Sequence, residues 1–489
     1  MMYRTTKLGS ALAAFALIAG LASGCAKNPA TGGTTFTGGF SEADEIRVGR
    51  ETHPKILREF GGEYGTWDLK RYVDSIGQLL AKTSERPHLK WTFTILNSDI
   101  VNAFATPGGY VYVTRGLMAL ADNEAQLAGV LAHEIAHITA LHHAERQGQS
   151  LLANIGVVAA AALGGRAGAN LGQFGAVSLL QSYSRENEHE ADALGVRYLA
   201  RAGYDPGAMA GFLSKLRDSS RLDAIRRGQS PETVDQLHYL ASHPATSARV
   251  DRASDLAKKA TVRKPITARN LYLSKLDGIL YGDSPDQGFV RGREFLHPNL
   301  RFAFRVPKGF SVFNTTRAVQ GFGPSGARFI FDGAKPYSGS MVSYVGRVWG
   351  KRMQLRDLER ISVNGLEAAT ATTRARSGNK AVNVRLVAYR FNGSIYRFVF
   401  LTPPNQTSAM SEDLRRVTYS FRGLTGRKAR SLKPLVLKIR TVRRGETVSG
   451  IARRLPFPDF KEQRFRAMNG LGQNDDLRAG QKIKIVAEQ

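Results

Sequence analysis

The chain has 489 residues, with 69 Lys and Arg against 41 Asp and Glu and a formal net charge of +28 at pH 7. That length accommodates two or three domains with cores of their own and excludes a single small module. The one cysteine excludes an intramolecular disulfide, and the excess of cations calls for an anionic partner: nucleic acid, a membrane surface or an acidic polymer.

The first residues, Met1-Met-Tyr-Arg4-Thr-Thr-Lys7, are basic, and an apolar run from Leu8 to Leu21 follows. The run is short for a membrane span and ends in small residues, the pattern of a secretory signal over residues 1–24. Export removes nucleic acid from the candidate partners. Ala22-Ser-Gly-Cys25 resembles a bacterial lipobox, and Ala26 resembles the outer-membrane sorting pattern. That resemblance implies a periplasmic, outer-membrane lipoprotein held to the membrane through lipidated Cys25, stably so because several acyl chains anchor where one is marginal. Residues 25–40, rich in Gly and Thr, read as a flexible tether.

Ser41-Glu-Ala-Asp-Glu45 has the form of a helix start, with Ser as cap and acids in the first turn. A second helix, about 68–82, carries Leu69, Val73, Ile76, Leu79 and Leu80 at helical spacing. Trp91 to Leu96 alternates as a strand. A second β region, Val101 to Val113, is broken at Pro107-Gly-Gly109.

Asp122-Asn-Glu124 then opens a helix containing His133-Glu134-Ile-Ala-His137. Four residues advance a helix by about 400°, so the two imidazoles share one face, a spacing that suits tetrahedral Zn²⁺. Glu134, one step round, can reach a metal-bound water as a base. Two residues compete for the third ligand position. His143 has the metzincin spacing, but Ala140 stands where that pattern has Gly, so the helix is expected to run on and carry His143 away. Glu188 and Asp192 lie i, i+4 on an expected helix, so one carboxylate can ligate while the other orients a ligating histidine. Glu186 and Glu190 share that spacing without the Ala-Asp continuation and read as a solvated face.

Between these blocks, Leu151 to Leu180 is apolar and interrupted by Gly, which suggests a buried or lid-forming helical hairpin. Met209 to Leu216 reads as a helix, Arg217 to Glu232 as a mobile charged loop, and Pro244 as the start of a helix to about Lys259. His243, immediately before that Pro, is expected on an extended loop.

Asn102-Ala-Phe-Ala-Thr-Pro-Gly-Gly, His133-Glu-Ile-Ala-His137, Glu188-His-Glu-Ala-Asp192, Ala202-Gly-Tyr-Asp-Pro206 and Ser242-His243-Pro244 occur in this order. Together, over roughly residues 41–255, they resemble peptidase family M48, the HtpX- and BepA-like gluzincins. The resemblance implies one Zn²⁺ per chain on His133, His137 and Glu188. It also implies Glu134 as base, Asp192 as support for a ligand histidine, and Asn102–Ala105 as an edge strand that pairs with extended substrate. In periplasmic relatives a His in the Ser/Thr-His-Pro segment can lie over the metal. His243 is then either a cap on the site or a donor to the oxyanion.

After a basic linker at 261–294, residues 295–425 alternate as strands, with a helix suggested at Leu355 to Ile361. This is the texture of an α+β accessory domain without chemistry of its own, and its Pro307-Lys-Gly-Phe opening resembles PsbP- or Mog-like modules. Residues 440–487 read strand–helix–helix–strand. The Gly445-Glu-Thr turn, Asn469-Gly-Leu and the Gly480-Gln-Lys-Ile-Lys-Ile ending resemble LysM, which implies peptidoglycan as a partner and a wall tether separable from the peptidase.

The expected architecture is α+β: a mainly helical zincin-like peptidase domain with a small sheet (41–260), the accessory domain, and a small βααβ module. The expected activity is zinc-dependent endopeptidase of the envelope, acting on unfolded or misassembled proteins. The competing reading is a wall-associated chaperone or binding protein with a capped metal site. A retained Glu134 favours the enzyme, because a permanently capped site has no use for a base.

Overall fold

Cys25–Lys27 (β1) and Thr34–Phe36 (β2) pair as an antiparallel hairpin. In its turn, buried Asn28 accepts from Ala30 N through Oδ1 and donates from Nδ2 to the Ala140 carbonyl at 3.1 Å. Arg197 Nη2 adds a bond to Ala30 O. The segment expected as a flexible tether is therefore fastened to the body of the molecule, because the Asx turn aims Asn28 at a helix end whose carbonyls need donors. The computed structural model describes residues 24–151, 183–226, 230–232, 243, 246–377 and 380–489. The chain divides into one compact unit of residues up to Ile279 with Leu437–Val486, and a second of Leu280–Val436 with Ala487–Gln489.

In the first unit, Ser41 and Asp44 form a capping box at the start of α1 (Glu42–Glu59). Thr66 caps α2 (Trp67–Thr83), which buries Leu69, Val73, Ile76 and Leu80 and leaves Leu79 exposed. Strands β3 (Thr92–Leu96), β4 (Ala103–Thr106) and β5 (Tyr110–Thr114) form a sheet in the order β3-β5-β4, with β4 antiparallel to β5 and at the edge. Gly108 and Gly109 turn the chain between β4 and β5 at φ 81° and 94°. A Cβ on Gly108 would stand 2.6 Å from the Ile46 Cα, so only Gly allows α1 to close on this turn.

Helix α3 (Arg115–Leu120) leads into α4 (Glu124–Thr139), capped by Asn123 and buried at every residue. A helix with no exposed face belongs at the centre of a domain. It packs against α2, β4, α5 (Arg185–Arg201) and α6 (Ala208–Arg226). Gly195 lets α5 approach closely: a Cβ there would meet Met209 Cε at 2.6 Å and His133 N at 3.4 Å. Helix α6 runs well into the stretch expected as a loop, since no Gly or Pro interrupts the sequence between Lys215 and Gly228. Thr246 caps α7 (Ser247–Lys259). The expected linker holds α8 (Arg269–Leu276), with Tyr272, Leu273 and Leu276 fully buried and the Tyr272 hydroxyl donating to Met118 O. Its short apolar stripe gave little periodic signal, and burial fixes it instead. The hairpin expected at 151–180, apart from Leu151, and Pro244 lie outside the described residues.

The second unit carries two antiparallel sheets. The smaller contains β6 (Phe289–Arg291), β7 (Glu294–His297) and β8 (Phe302–Arg305). The larger begins with β9 (Ser311–Asn314), β10 (Ala318–Phe322) and β11 (Arg328–Ala334). After the short α9 (Met341–Ser343) it continues with β12 (Arg356–Val363), β13 (Leu366–Ser377), β14 (Lys380–Phe391) and β15 (Ser394–Thr402). Helix α10 (Thr407–Ser420), β16 (Arg422–Gly423), which joins the small sheet, and α11 (Gly426–Ser431) complete it. Phe302, Phe304, Phe329, Phe331, Phe398 and Phe421 fill the core. The helix expected at Leu355 to Ile361 is strand β12. A register shift between Arg356 and Glu359, with Asp357 at φ 50°, breaks its alternation and mimics a helical spacing.

β17 (Leu435–Thr441), α12 (Val448–Ala452), α13 (Lys461–Asn469) and β18 (Lys482–Glu488) form the C-terminal module, its two strands paired with each other. This module is seated in the first unit. Lys484, with no exposed surface, donates from Nζ to the carbonyls of Ala119, Leu120 and Ala121 at 3.0, 3.0 and 2.9 Å and lies 3.2 Å from Asp122 Oδ1. Lys215 of α6 pairs with the same Asp122 and donates to Met468 O of α13 at 3.1 Å. The module expected as a separable tether is thus tied to the first unit through a buried ammonium that needs these acceptors.

Candidate metal centre

Helix α4 presents His133 and His137 on one face and Glu134 on the next. Helix α5, packed across it, presents Glu188 and Asp192. His243 comes in from between α6 and α7. His133, His137, Glu188 and His243 each offer one ligand atom, and these atoms all lie within 4.8 Å of one another. His133 Nε2 is 3.0 Å from His137 Nε2 and 3.5 Å from Glu188 Oε2, and His137 Nε2 is 3.6 Å from Glu188 Oε1. Ligands on a tetrahedral zinc at about 2.0–2.1 Å stand roughly 3.3 Å apart, so this donor set fits one such ion. His243 Nδ1 lies 3.2 Å from His133 Nε2 and 2.8 Å from Glu188 Oε1, at the fourth corner. Its Nε2 is 3.5 Å from Glu134 Oε1. The other Glu134 oxygen, Oε2, is buried without a hydrogen bond among the described residues, which suits a group meant to face a ligand held at the site.

The surroundings fix the charges. Arg249 of α7 is buried and lies 2.7 Å from Glu188 Oε2, and it grips both oxygens of Asp192 at 2.7 and 2.8 Å. Burial alone would raise the Glu188 carboxyl, but His243 and Arg249 beside it hold it well below the usual carboxylate range. Asp192 is likewise pushed up by burial and held low overall by Arg249. Its Oδ1 stands 3.0 Å from His133 Nδ1. Burial lowers the His133 imidazolium, yet hydrogen bonds with Asp192 and Glu188 outweigh it and raise the group to about 10. His137 goes the other way: burial, then the cationic forms of His133 and His243, push it well below its ordinary range.

His143 is not in the cluster. Helix α4 ends at Thr139 rather than running on, Leu141 takes φ 61°, and the His143 ring faces the Tyr183 hydroxyl at 2.8 Å. Three residues near the site had no reading in the sequence, and a fourth, Glu190, read as part of a solvated face but bonds to His142. Arg249 is one of many arginines, with no motif around it. His142 was hidden beside His143, and Tyr183, stacked on His137 with centroids 3.9 Å apart, borders the apolar run.

The model of peptidase family M48 matches residues 68–257, and that of the LysM domain matches residues 441–486. The chain carries an M48 peptidase domain. Among relatives of the M48 region, the Beta-barrel assembly-enhancing protease of Yersinia pestis is 35% identical over 207 residues, covering 40% of each chain. That of Escherichia coli K12 is 32% identical over 224 residues, 42% of each. The Mitochondrial metalloendopeptidase OMA1 of Schizosaccharomyces pombe is 30% identical over 227 residues, 45% of this chain and 63% of its own. The chain thus spans less than half the length of these bacterial relatives. Among solved structures, the cyanobacterial PsbP of Synechocystis sp. PCC 6803 is 12% identical, covering 28% of this chain and 98% of its own at a TM-score of 0.23.

Proposed function

We propose that the chain is a zinc endopeptidase of the bacterial cell envelope that cleaves unfolded or misassembled proteins. The observation that carries this is the convergence of His133, His137 and Glu188 beside a carboxylate, Glu134, with one oxygen bare. Zinc, when bound, supplies Lewis-acid polarisation of the scissile carbonyl and acidifies water. Glu134 takes the proton of the attacking water and passes it to the departing amide nitrogen. Asp192, clamped by Arg249, keeps the His133 ring turned so that Nε2 faces the site.

Beside Glu134 a cavity of about 50 Å³ is walled by Val101, Val130, Phe212, Leu213 and Leu216. Its apolar wall suits an apolar side chain, the kind that unfolded polypeptides expose. The edge strand β4 starts at its rim, where an extended substrate can pair through main-chain bonds. The reading extends to the rest of the chain. Acylated Cys25 ties it to the outer membrane on the periplasmic side, and the LysM domain binds peptidoglycan. No helix among the described residues is long and apolar enough to cross a membrane. The test is metal content together with casein cleavage by wild type and by Glu134→Gln.

A second reading draws on His243. With Nδ1 at the fourth corner it acts as a cap, and the resting enzyme is latent until its loop moves. A permanently capped form would be the chaperone-like protein.

A further inference from the structure

We propose that His142 and Glu190 are positioning residues for His137, joined to it in a Glu–His–His hydrogen-bonded chain that runs from a half-buried carboxylate to the buried ligand. This rests on the metal site proposed above. His137 Nδ1 lies 2.8 Å from His142 Nδ1, and His142 Nε2 lies 3.1 Å from Glu190 Oε2. The His142 ring is 2% exposed and meets His137 edge-on, with centroids 4.9 Å apart at 68°. Nothing in a continuous helix would produce this contact. Five residues advance an α-helix by about 500°, which would point His142 some 140° away from His137. Leu141, at φ 61°, ends the helix and turns the chain so that His142 comes back under the ligand face. A non-Gly residue in the left-handed region is strained, and here the strain has a purpose.

The hydrogens have one consistent arrangement. His137 directs Nε2 toward His133 and Glu188, so a neutral, ligating His137 carries its hydrogen on Nδ1. That hydrogen is donated to His142 Nδ1, which must then be bare. His142 therefore carries its own hydrogen on Nε2 and donates it to the Glu190 carboxylate. Any other neutral assignment sets two hydrogens or two lone pairs face to face. The two ligand histidines thus have different surroundings: His133 Nδ1 has Asp192 Oδ1 3.0 Å away, whereas His137 meets a carboxylate only through an intervening imidazole. Both carboxylates come from α5, which also supplies Glu188. Tyr183, stacked on His137 at an interplanar angle of 15°, fixes the plane of the ring, and the chain fixes its rotation within that plane.

The test uses the full-length protein and zinc itself, with affinity measured by competition against a chromophoric chelator. Losing such a partner weakens metal binding roughly 10- to 100-fold, and we expect that loss in His142→Leu. His142→Asn places an amide oxygen where Nδ1 was, still accepts from His137, and should recover most of the affinity. Glu190→Ala should bind roughly 3- to 10-fold more weakly, because only the outer link is lost. Circular dichroism and the unfolding midpoint of the metal-free proteins report on the fold. A folded His142→Leu that binds zinc within about threefold of wild type overturns the inference; if that variant does not fold, unchanged affinity in Glu190→Ala overturns it. Wild type that binds no zinc removes the metal site itself, and with it this role.

Discussion

Replacing Lys484 with Met tests whether the C-terminal module is part of the peptidase body. Met keeps the length and apolar stem of the side chain and removes only the ammonium, so packing is nearly conserved. What is lost is specific. Three carbonyls at the end of α3 lose their donor, and Asp122 loses Lys484 but keeps Lys215, with Arg269 at 4.0 Å. Each buried acceptor left bare costs about 1–3 kcal/mol, and breaking one partner of a buried ion pair about 3–5 kcal/mol. Against that stands the desolvation of a fully buried ammonium, which the variant no longer bears. Burial pushes Lys484 below the ordinary lysine range even with Asp122 beside it, so that cost is real. The net expectation is a loss of about 2–4 kcal/mol in urea unfolding of the full chain. The exposed Lys438→Met, in the same module, should change stability by less than about 0.5 kcal/mol. Removing residues 440–487 should be worse than either, since it also strips α13 from α6, the helix whose Phe212, Leu213 and Leu216 wall the cavity beside Glu134. If Lys484→Met is as stable as wild type, or the shortened chain keeps full stability and proteolysis, the module is a separable tether after all.

Glu134→Gln should retain zinc and lose casein cleavage by at least about 10²-fold, the usual worth of a general base; equal turnover would remove the peptidase mechanism. His243→Ala should raise basal cleavage if the imidazole caps the site, whereas lower turnover with zinc retained would assign it to the transition state instead. The second unit should weaken in mild acid through His297, which burial lowers from 6.5 to about 4 and whose Nδ1 accepts from Leu300 N. The unfolded chain binds the extra proton between those values, so stability is full above pH 6.5 and falls toward pH 4, by at most about 3 kcal/mol. Unfolding curves at pH 7.5 and 4.5 should separate less in His297→Leu than in wild type, and an identical separation would clear His297 of the effect.

The sequence by itself determined whatever is local. The capping box at Ser41, the caps at Thr66 and Asn123, the break at Pro107-Gly-Gly109, and the single face shared by His133 and His137 all follow from neighbours within a few residues. The i, i+4 spacing of Glu188 and Asp192 and the Ala140 in place of Gly favour Glu188 over His143, and the family resemblance agrees; the structure sets His143 aside by another route, ending α4 at Thr139 and turning the chain at Leu141. Tertiary structure decided what depends on distant segments meeting. Arg249 reaches Glu188 and Asp192 across 57 residues of chain to the latter, and Lys484 finds the end of α3 from 363 to 365 residues away. His142 turns inward because Leu141 takes up a conformation its side chain disfavours, which no spacing rule anticipates. Each of these residues is charged, polar or strained, so its local preference is for solvent or a relaxed turn. Only acceptors supplied by another part of the fold make its buried position stable.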